Sequence, residues 1–478
     1  MKQPAALLPI FFTELWERFG YYAIQGLLVL FLVHRLDYSP AYAFLTLSEF
    51  VSWAYVTPLL GGLVADRLLG HRYSILIGTL LLAAGYFILA FFSRYLLHMS
   101  LAFIIIGNGL LKPNSAAFLG QFYYHDDPRR YPGFTTYFIA INLGGLLSVV
   151  ITSLAIGTVG YTFAFACAAI GMLIAALVFF NGFRHFENRG KPKVLSSQSP
   201  ILKALSSRIG LILITMTLIQ AIHFLLHTVR ISEATLVLLA FGVIAALYHI
   251  QSEYNKTTRK HLSAIILLTG ASIVFWAIQL QIFFSVILFT ENKIQRTWLG
   301  HTIPAPFFII LEPLFLVMLG PLLARIWEYR SHHDRELSPA TKFTYGLFAT
   351  SLAMATLSIS CMTTGNDHLI HPIWLVVFYG LLAIGSLMIM PTGLAMITEL
   401  APEKLMGLVM GIWYMVIGLG GLLAGVLAQQ VLYQSNDFGI ALLHNQYGKS
   451  FALYAGLALL IAVVLSFLSP QLKKLMQP

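Results

Sequence analysis

Charge is the scarcest property of this sequence. Only 10% of its 478 residues are charged, whereas soluble domains carry about a quarter. The hydrophobic share is 58%, and the mean hydropathy is +0.80. A chain this apolar cannot expose most of its surface to water, which excludes an ordinary soluble protein. The composition predicts an integral membrane protein with many spans, whose function takes place within the membrane or at its faces.

Signals for disulfide bonding and for cleavage are lacking as well. The two cysteines, Cys167 and Cys361, fall in apolar segments, so we expect no disulfide. We also expect no cleavable signal peptide, because Glu14, Glu17 and Arg18 interrupt the stretch where an apolar signal core would run.

Catalytic and metal-binding patterns are missing too. The sequence has no nucleophile elbow, phosphate-binding glycine loop or nucleotide motif, so we expect neither an enzyme nor ATP-driven transport by this chain. His332 and His333 lie in a charged loop, and His223 and His227 are four residues apart without a third ligand. We therefore expect no catalytic residues and no metal site.

The apolar segments that are present predict fourteen transmembrane helices. They lie near residues 5–33, 42–64, 74–93, 99–121, 134–156, 160–181, 207–227, 233–251, 262–290, 304–327, 341–362, 372–397, 406–432 and 450–470. Polar or basic linkers at 184–199 and 253–261 set the seventh and eighth spans apart as an inserted hairpin. The predicted units are an N-terminal six-helix bundle (1–183), linkers with the hairpin (184–261) and a C-terminal six-helix bundle (262–478).

The positive charges orient these spans. The net charge is +10, but the basic residues sit in short loops rather than on a domain that binds nucleic acid, so we expect no nucleic-acid partner. With the N-terminus in the cytoplasm, 21 of the 29 lysines and arginines fall inside and six outside, and Arg18 and Lys112 lie within spans. Because cytoplasmic loops carry an excess of positive charge, both termini are predicted to be cytoplasmic.

Three charges interrupt the first span. Glu14, Glu17 and Arg18 are spaced three and four residues apart, which places them on one helical face. Ionisable groups in hydrocarbon cost about 2.5–3.5 kcal/mol each, so this face must look into protein or an aqueous cavity. A carboxyl group there holds its proton more tightly through desolvation and less tightly beside a guanidinium. The cluster is therefore suited to proton coupling, although a static salt bridge that packs helices is the alternative for Glu14.

The loop after the second span carries a glycine-rich motif. It reads Gly61-Gly62-Leu63-Val64-Ala65-Asp66-Arg67-Leu68-Leu69-Gly70-His71-Arg72. The glycines allow two helices to approach closely, and Asp66 can cap the following turn. The motif resembles the gating loop of the major facilitator superfamily, with a weak echo at Gly320–Arg325. Gly62, Asp66 and Arg67 are thus predicted to have a gating role, and an ordinary tight loop is the alternative.

The first helix narrows the resemblance to one family. Glu14-x-x-Glu17-Arg18-Phe19-x-Tyr21-Tyr22 resembles the first-helix signature of proton-dependent oligopeptide transporters. Further matches lie along the whole chain, at Tyr55-Val56-Thr57-Pro58, Gly109-Leu110-Leu111-Lys112-Pro113-Asn114, Tyr137 with Ile141-Asn142-Leu143-Gly144, Phe275-Trp276-Ala277, Pro391-Thr392-Gly393-Leu394, Ala401-Pro402 and Met410-Gly411-x-Trp413. The resemblance implies an all-α major facilitator fold, two six-helix bundles plus the hairpin, and alternating access powered by a proton gradient without a cofactor.

The resemblance also implies the site residues. The substrate-binding candidates are Tyr21, Tyr22, Gln25, Tyr55, Lys112, Asn142, Trp276, Gln279, Glu312, Ser386 and Trp413. The proton-coupling candidates are Glu14, Glu17, Arg18, Lys112 and Glu312. Lys112 lies near the middle of its span, so it is unfavourable for its side chain to extend the ammonium to the membrane surface. Such snorkelling is the alternative to a role within the site.

Four positions depart from the family pattern. Gln25 stands where the family has an arginine that contacts the peptide carboxylate, and Ser386 where it has a glutamate that contacts the amino group. Leu280 replaces the glutamate that pairs with the lysine corresponding to Lys112, and Glu312 replaces an asparagine. We hypothesise that Glu312 is the new partner of Lys112 or a relocated proton site; a protonated, hydrogen-bonded Glu312 is the alternative.

One further acid, Glu49, lies in the second span as a cavity group or a group near the periplasmic end.

The whole pattern predicts a monomeric importer of di- and tripeptides in a bacterial cytoplasmic membrane. Gln25 and Ser386 lack the charges that would hold the two peptide termini. The alternative is therefore a proton-coupled transporter of another small molecule, such as an organic acid, metabolite or siderophore-like solute, in either direction. A non-transporting receptor is a third interpretation, disfavoured by the retained charges.

Overall fold

The computed structural model describes residues 3–123, 127, 129–186, 189–190, 208–251, 254–298, 300–333, 337–364, 368–402, 405–432 and 440–476. Most of the first predicted linker, including the Ser-Ser-Gln-Ser run, lies outside these ranges, as does Glu253 of the second. Nearly all of the described chain is helical, which confirms the all-α prediction. A backbone in hydrocarbon must satisfy its hydrogen bonds internally, and apolar runs of this length do so as helices.

The described chain contains fourteen α-helices in its two halves and the predicted hairpin. Those of the first half are α1 (Leu7–His34), α2 (Pro40–Val64), α3 (His71–Gly120), α4 (Arg130–Thr158) and α5 (Tyr161–Gly182). The predicted hairpin comprises α6 (Arg208–His227) and α7 (Val229–Gln251). Those of the second half are α8 (Lys256–Gln279), α9 (Ser285–Lys293), α10 (Leu311–His332), α11 (Pro339–Thr363), α12 (Ile373–Leu400), α13 (Met406–Gln430) and α14 (Ile440–Leu475).

Shorter elements connect some of these helices. A π-helical turn covers Ala65–Leu69, and 3-10 turns cover Phe183–His185, Leu280–Phe283 and Ala305–Ile310. Strands β1 (Thr297–Trp298) and β2 (His301–Thr302) form a small antiparallel hairpin.

The helix α3 contains two of the predicted spans. Its 50 residues would extend about 75 Å at 1.5 Å per residue, more than twice the hydrocarbon thickness of a bilayer. The backbone leaves helical geometry at Leu96 (φ −125°, ψ 29°), between the predicted spans at 74–93 and 99–121. Within the described ranges, twelve segments are long and apolar enough to cross a membrane, and the number fourteen stays a prediction.

The chain divides into two compact units. One comprises residues 1–38 and 49–232, and the other comprises residues 39–48 and 233–478. The division falls inside α2 and near the start of α7. The predicted boundaries at residues 183 and 261 stay predictions.

Small residues bring the helices of the first unit together around α1, which packs against α3, α4 and α5. A Cβ at Gly144 would lie 2.9 Å from Cβ of Arg18, so only glycine allows α4 to approach α1 here. A Cβ at Gly78 would likewise lie 2.7 Å from the carbonyl oxygen of Gly107, which joins the two halves of α3. These contacts hold the charged face of α1 inside protein.

Glycines also bring the helices of the second unit close together. A Cβ at Gly385 would lie 3.0 Å from the carbonyl oxygen of Gly346, so α11 and α12 touch backbone to backbone. Gly420 of α13 faces the backbone of Trp276 in α8, with a Cβ predicted to lie 3.2 Å from its carbonyl carbon. This close approach places the C-terminal end of α8 in the interior of the unit, where Gln279 lies.

Candidate functional site

A buried ion pair stands at the centre of the first unit. The guanidinium of Arg18 donates from Nη2 to Oε1 of Glu17 over 2.6 Å, and from Nε to Oε2. Glu17 is 1% exposed and Arg18 is 7% exposed. Charge-assisted, two-point contacts of this kind are strong and geometrically specific, so the pair fixes the orientation of both side chains.

The third charge of the cluster, Glu14, lies one turn earlier on α1 and is 2% exposed. Ser115 of α3 and Tyr137 of α4 interact with its carboxyl group. Its Oε1 atom has no hydrogen-bond partner among the residues that the structure describes. A buried carboxyl oxygen without a partner is a site where a proton or a ligand group gains a hydrogen bond.

Aromatic rings surround the cations of this unit. The ammonium of Lys112 lies 4.6 Å from the ring centre of Tyr55 and 5.4 Å from that of Tyr21. The guanidinium of Arg18 lies 5.2 Å from the ring centre of Tyr21. Tyr22 stands edge-on to Tyr21 at 6.1 Å. The structure thus brings together the α1 charges, Lys112 and the three tyrosines, and cation–π attraction stabilises the positive charges.

Two other candidates of this unit differ in their placement. Gln25 is buried on α1 and donates from Nε2 to the hydroxyl of Tyr21 over 3.3 Å, so it joins the aromatic group. Asn142 is exposed on α4 and donates to the carbonyl oxygen of Phe138 over 2.8 Å. The described contacts of Asn142 do not connect it to the charged cluster.

The second unit contains a chain of hydrogen bonds between three candidates. Ser386 Oγ of α12 donates to Oε1 of Gln279 over 3.2 Å. The Nε2 atom of Gln279 donates in turn to Oε1 of Glu312, in the first turn of α10. Gln279 therefore couples the new carboxylate to the serine that stands in the family's glutamate position. The hypothesis that Glu312 pairs with Lys112, which belongs to the other unit, stays a prediction.

The two tryptophans of the second unit are core residues of helices α8 and α13. Trp413 is 2% exposed and packs against Gly393 and Phe343. Trp276 is 6% exposed, and its indole Nε1 has no hydrogen-bond partner in the described part of the chain. An unpartnered indole N–H is suited to donate to a polar ligand.

The glycine-rich motif after α2 forms a braced turn. Asp66 Oδ1 lies 3.6 Å from Nε2 of His71, and Nδ1 of His71 lies 2.7 Å from Oδ1 of Asn114. Gly62 borders Pro113, whose Cβ would lie 3.8 Å from an added Cβ. Arg67 is exposed. The motif therefore ties the end of α2 to the second half of α3, and its gating role stays a prediction.

Glu49 has partners that sequence reasoning missed. The hydroxyl of Ser232 in α7 donates to Oε2 of Glu49, and the indole Nε1 of Trp53 donates to Ser232 Oγ over 2.8 Å. All three side chains are buried. Trp53 follows Glu49 by four residues, a spacing that places both on one helical face. No sequence signal points to Ser232, which is 183 residues away.

Comparisons with known proteins agree on one group. The sequence profile of the POT family matches residues 72–448. Dipeptide and tripeptide permease B of Yersinia enterocolitica is 31% identical over 481 residues, covering 99% of this chain and 96% of the permease. Dipeptide and tripeptide permease A of Escherichia coli is 30% identical, covering 100% of this chain and 94% of the permease. The fold is similar to that of a peptide transporter POT mutant in complex with alafosfalin, with a TM-score of 0.85 and 27% identity over 100% of this chain and 96% of the transporter.

Proposed function

Because the chain belongs to the POT family, as its motifs predicted, we propose that it imports di- and tripeptides together with protons by alternating access. The predicted major facilitator fold is confirmed with the family. The observation that carries the proposal is the buried Glu17–Arg18 pair beside Tyr21, whose ring also contacts Lys112. This arrangement concentrates exchangeable charge in the membrane interior, where it is costly unless it serves a function.

Proton coupling follows from competition for the guanidinium. A proton on Glu17 removes the charge that holds Arg18, which frees the guanidinium to interact with Glu14 or with a substrate carboxylate. Loss of that proton restores the two-point ion pair. Because the Glu17 carboxylate and a substrate carboxylate compete for one cation, protonation of Glu17 favours substrate binding, and a proton and a substrate bind together more favourably than either does alone.

We assign the contacts with the substrate to aromatic and polar groups. Tyr21, Tyr22 and Tyr55 offer ring faces and hydroxyl groups that tolerate varied side chains. In the second unit, Glu312 supplies a carboxylate that Gln279 links to position 386, and we assign it the contact with the substrate's amino group. Glu312 thereby takes the role of the glutamate that the family has at the position of Ser386.

A proton-coupled transporter of a non-peptide solute is the second candidate function. Gln25 and Ser386 favour it, because neither carries the charge that clamps a peptide terminus in the family pattern. A receptor that does not transport is a weaker candidate, since it has no use for a buried Glu17–Arg18 pair. We further propose a monomer in the bacterial inner membrane with both termini in the cytoplasm.

Uptake by proteoliposomes under an imposed inward pH gradient tests the function. We expect labelled di- and tripeptides to accumulate, and a protonophore to abolish accumulation while leaving exchange of peptide across the membrane intact. Accumulation of organic acids or other metabolites without any peptide would favour the second candidate. A lack of substrate-dependent proton flux across the whole panel would favour the receptor.

Replacing Glu312 with glutamine tests the amino-group contact. We expect peptides to bind about 30-fold more weakly or worse, because the variant leaves the ammonium without a buried counter-charge. Competition binding checks this, with Glu328→Gln, an exposed position on the same helix, as the control. N-acetylated peptides should bind the wild type and Glu312→Gln equally. A double variant, Glu312→Asn with Ser386→Glu, should recover affinity, and an equal loss for N-acetylated peptides would contradict the assignment.

A further inference from the structure

A buried tyrosine on α3 presents its hydroxyl group to the first helix without forming a hydrogen bond. Tyr86 is fully buried, and its Oη atom has no hydrogen-bond partner among the residues that the structure describes. Leaving a buried hydroxyl group without a partner is unfavourable, and a phenylalanine would fill the same space without that cost. A tyrosine is therefore explained here by a state of the protein in which the hydroxyl group is used.

The hydroxyl group of Tyr86 reaches α1 because a glycine leaves room for it. A Cβ built on Gly20 would lie 2.5 Å from the hydroxyl oxygen, so any side chain at this position would displace the phenol. Gly20 follows Glu17 by three residues, a spacing that places both on one helical face. The phenol therefore ends on the side of α1 that holds the ion pair.

Electrostatic interactions connect Tyr86 to that ion pair. The phenol interacts with both Glu17 and Arg18. The guanidinium of Arg18 donates to both carboxylate oxygens of Glu17, and within the described chain Tyr86 donates to neither of them. The unused hydroxyl group is thus a feature of the state in which Glu17 is ionised and bound to Arg18.

Protonation of Glu17 changes what its carboxyl group can bind. The neutral group gains an O–H donor and loses the charge that holds Arg18. An O–H donor in the protein interior requires an acceptor. The hydroxyl oxygen of Tyr86 can accept such a bond, and no described residue makes use of that oxygen.

Other titratable groups also act on Glu17, from three helices. They are Glu14 and Arg18 of α1, Lys112 of α3 and Tyr137 of α4. Lys112 and Tyr137 act on both Glu14 and Glu17, whereas the interactions of Tyr86 are with the Glu17–Arg18 pair. Tyr86 is therefore suited to treat the two carboxyl groups of the cluster differently.

We infer that Tyr86 is a positioning residue for the proton on Glu17: the protonated carboxyl group, released from Arg18, donates its O–H to the hydroxyl oxygen of Tyr86. The inference rests on the proposed proton coupling and assigns a part in it to a residue outside the first-helix motif. The hydrogen bond holds the neutral carboxyl group away from the guanidinium, which leaves Arg18 available to a substrate carboxylate. Loss of the proton breaks this bond and restores the ion pair.

Tyr86→Phe removes the hydroxyl group alone, and the pH dependence of thermal stability tests its role. At a pH where Glu17 is ionised, the variant should melt at the wild-type temperature or slightly above it, because a buried group without a partner has been removed. At a pH where Glu17 is protonated, the variant should melt below the wild type, which alone forms the new hydrogen bond. The difference in melting temperature therefore reverses sign as the pH falls, and its measurement requires no transport.

Proton-driven uptake of peptide by proteoliposomes is the second measurement. We expect Tyr86→Phe to bind the coupling proton about fivefold more weakly, so its half-maximal uptake should lie about 0.7 pH units below that of the wild type. Tyr454→Phe is the matched control, because Tyr454 is also buried but donates to the carbonyl oxygen of Leu427 over 2.6 Å. It should lower the melting temperature at every pH and leave the half-maximal pH of uptake unchanged.

Two results would overturn the inference. One is a difference in melting temperature between Tyr86→Phe and the wild type that does not vary with pH. The other is a half-maximal pH of uptake that moves upward, since Tyr86 would then donate to the ionised carboxylate of Glu17.

The Glu17→Gln background isolates the hydrogen bond from the titration. There, Tyr86→Phe should lower the melting temperature equally at every pH, because the amide N–H is a permanent donor in place of the protonated carboxyl group; an unchanged melting temperature would count against the bond. Failure of the wild type to take up any peptide would contradict the proposed function, and the melting temperatures would still decide whether Tyr86 holds the proton on Glu17.

Discussion

Replacing Glu17 with glutamine should reduce proton-driven uptake to the level of protein-free liposomes while leaving peptide exchange measurable. The amide keeps the shape of the carboxylate, but it offers Arg18 one accepting oxygen where the carboxylate offers two, so it holds the guanidinium weakly, as a protonated Glu17 would. It cannot take up a proton, which removes the coupling step. Concentrative uptake and counterflow, measured on the same proteoliposomes, separate the two effects.

Two further variants make this result interpretable. Arg18→Ala leaves the carboxylate of Glu17 buried without its cation, and we expect it to cost about 3–5 kcal/mol of stability along with all transport. Glu399→Gln, at an exposed position in α12, removes a carboxylate from the surface and should transport normally. If Glu17→Gln still concentrates substrate with the wild-type ratio of protons to substrate, Glu17 does not carry the proton.

Replacing Ser232 with alanine should lower the melting temperature clearly, although Ser232 lies outside the transport site. The change removes the hydroxyl shared by Glu49 and the Trp53 indole. An unsatisfied buried polar group costs about 1–3 kcal/mol, and more when it is charged. The hairpin helices α6 and α7 lose this attachment to α2, so hydrogen exchange in residues 208–251 should rise.

Controls identify the hydrogen bond as the cause. Ser263→Ala removes a hydroxyl whose hydrogen bond, among the described residues, stays within its own helix at the carbonyl oxygen of Arg259, and it should change stability little. Glu49→Gln still accepts from Ser232 and should fall between the wild type and Ser232→Ala. Equal melting temperatures for Ser232→Ala and Ser263→Ala would show that the network contributes nothing to hairpin attachment.

The features that the sequence predicted correctly depend on residues close together in the chain. Apolar runs longer than a bilayer is thick predict membrane helices without reference to any partner, so most helix ends agreed with the structure within a few residues. Two did not: α14 begins ten residues before the predicted span at 450–470, and the 3-10 turn Leu280–Phe283 breaks the predicted span at 262–290. Charges at three- and four-residue spacing likewise predicted the buried face of α1 that holds Glu14, Glu17 and Arg18. The motifs around them were specific enough to predict the family.

Pairings at the site were harder to anticipate. Glu17 and Arg18 are neighbours in sequence, and adjacent side chains on a helix normally diverge; the packing of α4 and α3 against α1 confines both, and they meet. Ser386 and Gln279 are 107 residues apart, and Gln279 and Glu312 are 33 apart. Such contacts depend on how helices pack, which no local pattern encodes.

The sequence alone thus determined the membrane class, the helices, the charged face of the first helix and the family. The tertiary structure decided which of those charges form a pair, that Gln279 joins Glu312 to Ser386, and that Ser232 donates a hydrogen bond to Glu49. The physical reason is that hydrophobicity and helical periodicity are properties of consecutive residues. The partner of a buried polar group is set by the close approach of distant helices, which glycines such as Gly144 and Gly385 permit.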